Sequence, residues 1–259
     1  MLTPEFTIRS FTDDQYILDK VFYANNYRLK KLPEEEPAVI VDIGAHSGFF
    51  SLLCLMRGAD KVYSVEPFTD NFRVLSQNLE SFQDKSSILK MGVYTENRFG
   101  NLEYPTAENN FFYLSSVKFH NGVKDEPSDL SYFVTLDELL GSLPEPEVTL
   151  LKINIGYAET DILLSSKNIT KCKYVCGETS ASEEKLAEVV AHMKDQGFND
   201  SYMASSKEKE GQSLVLFAKE KCEDLFNLYV SGSPEEAAHN EEMASNMTPI
   251  PQSADVPLQ

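Results

Sequence analysis

Apolar positions along the chain switch between two periods. In 14–23, "DQYILDKVFY", Tyr16, Ile17, Val21 and Phe22 recur at helical spacing, and a polar stretch ending in "PEEEP" breaks the pattern before an apolar run at 38–43. That run reads as a buried strand. A helix at 47–57 and a strand at 61–65 follow. The next helix covers "TDNFRVLSQNLESF", with Thr69 or Asp70 as its cap and Phe72, Leu75 and Leu79 on its inner face, and leads to a strand at 87–93. Strands separated by helices predict right-handed crossovers and a mostly parallel sheet covered on both faces, an α/β protein.

The second half resumes the pattern after an interruption. Residues 95–133 show no helical period, and Tyr104, Phe111, Phe112, Tyr113, Phe119 and Phe133 are spaced as in short strands. An inserted β segment is expected there, lying over the carboxyl ends of the strands, with aromatic faces beside a bound acceptor or packed across strands. "TLDELLGSL" then predicts a short helix, "VTLLKINI" and "KYVCGE" two strands, and "SEEKLAEVVAHMKDQG" a helix opened by Ser182 and closed by Gly197. The strands at 198–204 and 213–219 are joined by a loop too short for a crossover helix and must be antiparallel. The expected organisation is an N-terminal helical segment (1–37), a main domain (38–219), a short helix in "EDLFNLYV" (220–230) and a disordered acidic tail (231–259) that lacks Lys and Arg.

Composition narrows the partners. With 259 residues and 42% apolar content, one sizeable core is expected. A formal charge of −18, from 41 acidic and 23 basic side chains, repels a phosphate backbone and argues against nucleic acid. No secretory-type apolar region stands near Met1, and no stretch approaches the roughly 20 residues that span a bilayer. A soluble, cytoplasmic protein is expected. In that compartment Cys54, Cys172, Cys176 and Cys222 are reduced thiols, and Cys172 and Cys176 lack the second pair or nearby His of a zinc site, so no metal is expected.

The chemistry concentrates in "VIVDIGAHSGFF". A glycine turn leaving a buried strand for a helix lets a ligand approach backbone N–H groups. A dinucleotide fingerprint needs G-x-G-x-x-G, but Gly44 is followed by Ala45, His46 and Ser47 before Gly48, so the second glycine is missing. Asp42 precedes the turn, where it would sit near a cationic amino group, and Glu66 ends the next strand, where a carboxylate accepts hydrogen bonds from a ribose diol. A ligand with a ribose, an amine and no pyrophosphate is S-adenosylmethionine.

"VDIGAHSGFFSLL", "VEPFTDNFRVLSQNL", "VTLDELL" and "LLKINIGYAETDIL" occur in the order seen in FkbM-type class I methyltransferases, which the chain resembles over roughly residues 7–219. The resemblance implies a seven-stranded Rossmann-like sheet, S-adenosylmethionine as donor, and O-methylation of a sugar or other small-molecule hydroxyl. It assigns Asp42, Gly44, Ala45 and Gly48 to the methionine side of the cofactor and Glu66 to its ribose. Two departures stand out. His46-Ser47 replaces the family's Asn-Ile, and the usual K-I-D-V-E-G-A-E becomes Lys152-Ile153-Asn154-Ile155-Gly156-Tyr157-Ala158-Glu159, with two carboxylates lost.

A hydroxyl acceptor needs its proton removed, and an amide cannot take a proton at working pH. With Asn154 excluded as a base, Glu159, Glu178 and His46 remain, Glu159 first because it is the surviving acid of the motif. Glu159 serves equally well as a favourable charge at a helix N-terminus. Two function classes stay open: a methyltransferase with an altered acceptor site, and a methyltransferase fold with an interaction role, for which the acidic tail offers a docking segment for a protein partner.

Overall fold

The computed structural model describes residues 6–10, 12–102, 117–118, 129–156, 158–205 and 211–228. Helix α1 (Asp14–Leu18) runs directly into a π-helical turn, Asp19–Tyr23, that buries Lys20, Val21 and Phe22 in succession. Strand β1 (Val39–Ile43) is buried at every position, as a strand covered on both faces must be. Helix α2 (Phe49–Met56) is buried from Phe49 to Leu55, and β2 (Lys61–Val65) follows it.

Two expectations are corrected in the next stretch. Helix α3 (Thr69–Asn78) is capped by neither Thr69 nor Asp70: Phe68 holds the cap position, with no side-chain bond of its own. The helix start is instead anchored by Glu66, whose Oε1 accepts from Phe68 N (3.0 Å) and Asn71 Nδ2 (3.3 Å). Its buried face is Asn71, Val74, Leu75 and Asn78. The strand expected at 87–93 divides into β3 (Ser86–Leu89) and β4 (Gly92–Tyr94), separated by a tight turn in which Met91 N donates to Leu89 O at 3.0 Å.

Strand β4 leaves the main sheet and joins β5 (Arg98–Leu102), β6 (Val117–Lys118) and β7 (Asp129–Thr135) in a second sheet of order β4-β7-β5-β6. Gly92 sits opposite Phe133 because a Cβ there would lie 2.2 Å from the Phe133 ring, which is fully buried. Tyr104, Phe111, Phe112, Tyr113 and Phe119, and the tail 231–259, lie outside the described residues.

Helix α4 (Leu136–Ser142) opens at Thr135, whose Oγ1 accepts from Glu138 N at 3.1 Å. Then come β8 (Val148–Ile153), α5 (Glu159–Ser165) and β9 (Cys172–Thr179). Helix α6 (Glu183–Asp195) begins at Ser182, whose Oγ accepts from Lys185 N at 3.3 Å, and ends before Gly197 at φ +88. Strands β10 (Asp200–Ser205) and β11 (Ser213–Ala218) form the expected hairpin. Helix α7 (Cys222–Leu225) is shorter than "EDLFNLYV" suggested, because Phe226 turns extended, bridges to Leu29 and packs its buried ring 6.0 Å from Tyr174.

The main sheet has seven strands in the order β10-β11-β9-β8-β1-β2-β3. All pairs are parallel except those of β11, which runs against both neighbours. Apolar layers cover both faces: α2, α3 and the N-terminal segment on one, α4, α5 and α6 on the other. Strand β1 is the switch point, since the chain leaves it for β2 on one side and returns as β8 on the other. A crevice must open where the connections diverge, at the carboxyl ends of β1 and β8. Among the described residues, no helix is long and apolar enough to cross a membrane.

Candidate functional site

A cavity of about 280 Å³ occupies that crevice. Its walls come from the turns after β1, β2, β8 and β9, from Met91 to Val93, and from Ile17, Lys20, Val21 and Tyr27 of the N-terminal segment. None of the described residues of 95–133 lines it. The expected aromatic cover is therefore not formed by them: Phe133 is buried under Gly92, and Phe99 and Tyr132 pair at 5.0 Å with Phe99 65% exposed.

The glycine turn is built for closure within the chain. Gly44 and Ala45 donate their N–H groups to Val65 O (3.0 and 3.1 Å), His46 donates to Glu66 Oε2 (2.8 Å) and Gly48 to Ala45 O (2.8 Å). At Gly44, φ is +75 and a Cβ would lie 2.0 Å from Asn154 O; at Gly48, φ is +85 and a Cβ would lie 2.6 Å from Leu75 Cδ1. Both glycines thus let the turn pack against β8 and α3, and Gly44 and Ala45 also border the cavity. Asn78 Nδ2 holds the turn from below by donating to Ser47 O at 2.7 Å.

Asp42 meets a cation, but one from the chain itself. It is fully buried, in register with Lys152, whose Nζ lies 2.9 Å from Asp42 Oδ1 and donates to Gly44 O at 2.7 Å. Ser51 Oγ donates to Asp42 Oδ2 at 2.7 Å. Asp42 and Lys152 thus brace the carboxyl end of β1, with Lys152 also on the cavity wall.

Glu66 stands on the β2 side of the cavity, 4% exposed, and burial raises its carboxyl above the ordinary range against the amides of Phe68 and His46. Beside it, Asn71 Oδ1 is buried and accepts no hydrogen bond among the described residues. Val65, Phe68, Met91 and Val93 supply apolar surface next to this pair.

On the opposite wall, Asn154, Glu178, Lys20, Tyr27 and Gln212 form one network. Lys20 Nζ lies 2.9 Å from both Glu178 oxygens, with both side chains nearly buried. Asn154 Nδ2 donates to Glu178 Oε2 (3.0 Å) and to Tyr27 Oη (2.8 Å), and Gln212 Nε2 donates to Glu178 Oε2 at 3.4 Å. Glu159, at the start of α5, accepts from Ile155 N at 2.8 Å and from Gly156 N on the same oxygen, Oε1. That bond pattern shapes the loop after β8 whether or not the acid also meets substrate.

His46 sits at φ +52, with Nε2 3.6 Å from Asp13 Oδ1 and Nδ1 3.7 Å from Asp14 Oδ1. Neither ring nitrogen makes a hydrogen bond among the described residues, and burial lowers the ring to about 4. Burial lifts the Asp13 carboxyl to about 6, whereas the Arg9 hydrogen bonds to Asp14 overcome burial and lower it. Asp13, Asp14 and His46 bring potential ligand atoms within 4.8 Å of one another. Asp14 is, however, already engaged by Arg9 Nη2 (2.7 Å) and Ser47 Oγ (2.7 Å), which makes the group an ionic clasp between the N-terminal segment and the glycine turn.

The expected residues Gly44, Ala45, His46, Glu66, Asn154 and Glu159 gather around one cavity; Asp42 and Gly48 stand behind it. Sequence reasoning missed Lys20, Tyr27, Asn71 and Gln212. Lys20 left a signal, a charge three residues after Ile17 on an otherwise apolar helical face. Asn71 left a similar one beside Leu75. Tyr27 and Gln212 lie in loops, where no period marks the inward side.

Solved structures to which the chain is similar include the human methyltransferase 10 domain containing protein (10% identity, TM-score 0.47, 78% of this chain and 81% of that one). Another is an rRNA methylase from Streptococcus thermophilus (13% identity, TM-score 0.44, 79% of this chain and 94% of that one). No curated protein matches the sequence. The model of the methyltransferase FkbM domain matches residues 42–199, and the chain belongs to that family.

Proposed function

We propose that the chain is an S-adenosylmethionine-dependent methyltransferase. The observation that carries this reading is the pairing, on the β2 side of a cavity at the sheet's switch point, of the Glu66 carboxylate with the orphaned Asn71 Oδ1. Two acceptor groups beside an apolar wall of Val65, Phe68 and Met91 suit an adenosine, whose diol and exocyclic amine donate and whose base is flat and apolar on its faces. Glu66 and Asn71 would hold the nucleoside, and Gly44 and Ala45 would border its methionine end. When bound, this cofactor supplies a methyl group activated by a sulfonium. The residues' own task is to align an acceptor with that methyl and exclude water.

The resemblance implies a sugar or small-molecule hydroxyl as acceptor, and Glu159, Asn154 and His46, read from the residues themselves, would stand nearest the chemistry. A second reading, a catalytically impaired fold with an interaction role, is favoured by the fact that Glu66, Glu159 and Glu178 each already accept hydrogen bonds from the chain. Calorimetry with S-adenosylmethionine and S-adenosylhomocysteine separates them at the first step. Binding is expected, weakened about tenfold or more in Glu66→Ala, since a lost charged hydrogen bond costs about 1.5–3 kcal/mol. Unchanged affinity in that variant removes the ribose assignment, and no binding by the native protein removes the reading.

A further inference from the structure

Asn154 stands where the family usually has a carboxylate, and the surrounding network fixes which end of its amide is presented. An Asn side chain has one donor nitrogen and one acceptor oxygen, and the two ends are often interchangeable. Here they are not. Lys20 Nζ lies 2.9 Å from both Glu178 oxygens, an ion pair that keeps Glu178 an acceptor only. Glu178 Oε2 lies 3.0 Å from the Asn154 amide, and an oxygen pointed at that carboxylate would be repelled, so Nδ2 must face it. The second Nδ2 hydrogen goes to Tyr27 Oη at 2.8 Å. Both donors are taken, while Oδ1 accepts no hydrogen bond among the described residues on a side chain that lines the cavity.

A carboxylate at 154 would stand about 3 Å from Glu178 Oε2, so that two acids would compete for the Lys20 cation, whereas the Asn154 amide donates to Glu178 instead.

We infer that Asn154 is a specificity-determining residue whose fixed Oδ1 accepts a hydrogen bond from the nucleophile, and that the acceptor methylated in this cavity is an amine rather than a hydroxyl. This rests on the methyltransferase reading above and revises its acceptor. An amide oxygen accepts a hydrogen bond but takes no proton, so it orients a nucleophile without deprotonating it. An amine that has first released its ammonium proton to water, as a growing share does toward the alkylamine pKa of about 10, needs no more: its lone pair forms the new N–C bond as the donor's C–S bond breaks with the electron pair staying on sulfur. The resulting ammonium then releases a proton to water. A hydroxyl held by the same oxygen would have to attack while still protonated.

The test uses the native protein at pH about 9, where a substantial share of each amine is unprotonated, with matched acceptors: glucosamine with glucose, galactosamine with galactose, benzylamine with benzyl alcohol, and tyramine with tyrosol. Methyl transfer from labelled S-adenosylmethionine is expected on amine members at least about tenfold faster than on their hydroxyl partners. Amine binding to protein loaded with S-adenosylhomocysteine should weaken by a similar factor in Asn154→Ala, with cofactor affinity unchanged, as a residue that meets only the acceptor requires. Faster labelling of the hydroxyl members overturns the inference and leaves the methyltransferase reading standing. So does cofactor binding without transfer to, or binding of, any amine. Absence of cofactor binding defeats the broader reading itself.

Discussion

Asp13 and His46 place opposite demands on one proton. The buried Asp13 carboxyl is raised from 3.8 to about 6, so the folded chain holds a proton there that the unfolded chain has released; this contribution is complete below 3.8 and is lost as pH rises through 6. His46 is lowered from 6.5 to about 4, so its contribution is complete above 6.5 and is lost as pH falls through 4. Between pH 4 and 6 the two nearly cancel in the native protein. Removing either exposes the other. Against the native protein in urea unfolding at pH 4.5, 5.5 and 6.5, His46→Gln should lose stability as pH rises and Asp13→Asn should lose it as pH falls. Each slope is limited to one proton, about 1.4 kcal/mol per pH unit. Parallel curves for both variants and the native chain would show that neither group titrates in this window. None of this was legible in sequence. "HSG" and "DD" are separated by a helix and a strand, and only the folded clasp brings His46 against Asp13. Glu66, by contrast, was legible, because a strand end followed by a helix fixes where its carboxylate goes without help from distant residues.

At the scale of elements, the turn between β1 and α2 illustrates how a correct motif carries a different physical meaning. Glycine was expected at positions 44 and 48 so that a ligand could reach the backbone, yet the backbone N–H groups of Gly44, Ala45, His46 and Gly48 are satisfied within the chain. The close approach at Gly44 is to the carbonyl of Asn154, just past the end of β8, a neighbour about 110 residues away that no local period reveals. The other end of α2 provides a control. Gly58 has φ +104, but a methyl placed on its Cα would meet no atom within 4 Å, so Gly58→Ala carries the backbone cost alone, about 1–2 kcal/mol. Gly44→Ala adds a clash with backbone that cannot rotate away, a further cost of about 1–3 kcal/mol or more. Urea denaturation of the two variants should show Gly44→Ala to be clearly the more damaging; equal losses would mean that β8 gives way and the turn is not held against it. Elements whose ends are set by local chemistry, such as α4 at Thr135 and α6 at Ser182, were read correctly for the same reason that α3 was not. Its start is set by Glu66, which lies outside the helix.

For the whole molecule, the family match over 42–199 omits parts that complete the cavity. Lys20 and Tyr27 precede it and Gln212 follows it, yet all three line the same wall. The mostly parallel sheet and its antiparallel last hairpin followed from local arguments about crossovers and a short loop, but the covering of its face by residues 12–32 did not, since docking of a terminal segment depends on contacts with no sequence period. Lys20 and Glu178 join that segment to β9 across 158 positions. Taking one partner away leaves a buried charge alone, so Lys20→Ala should lose about 3–5 kcal/mol in equilibrium unfolding. The double variant Lys20→Met with Glu178→Gln removes both charges while leaving an acceptor oxygen for Asn154, and it should recover most of that loss. A loss under about 1 kcal/mol in Lys20→Ala would mean that the pair is hydrated and the segment is not clamped to the sheet. Recovery in the double variant, together with retained cofactor binding on the β2 side, would show that the clamp acts on the acceptor wall alone. The cavity would then have two separable halves: a nucleoside side supplied by the family fold and an acceptor side completed by what flanks it.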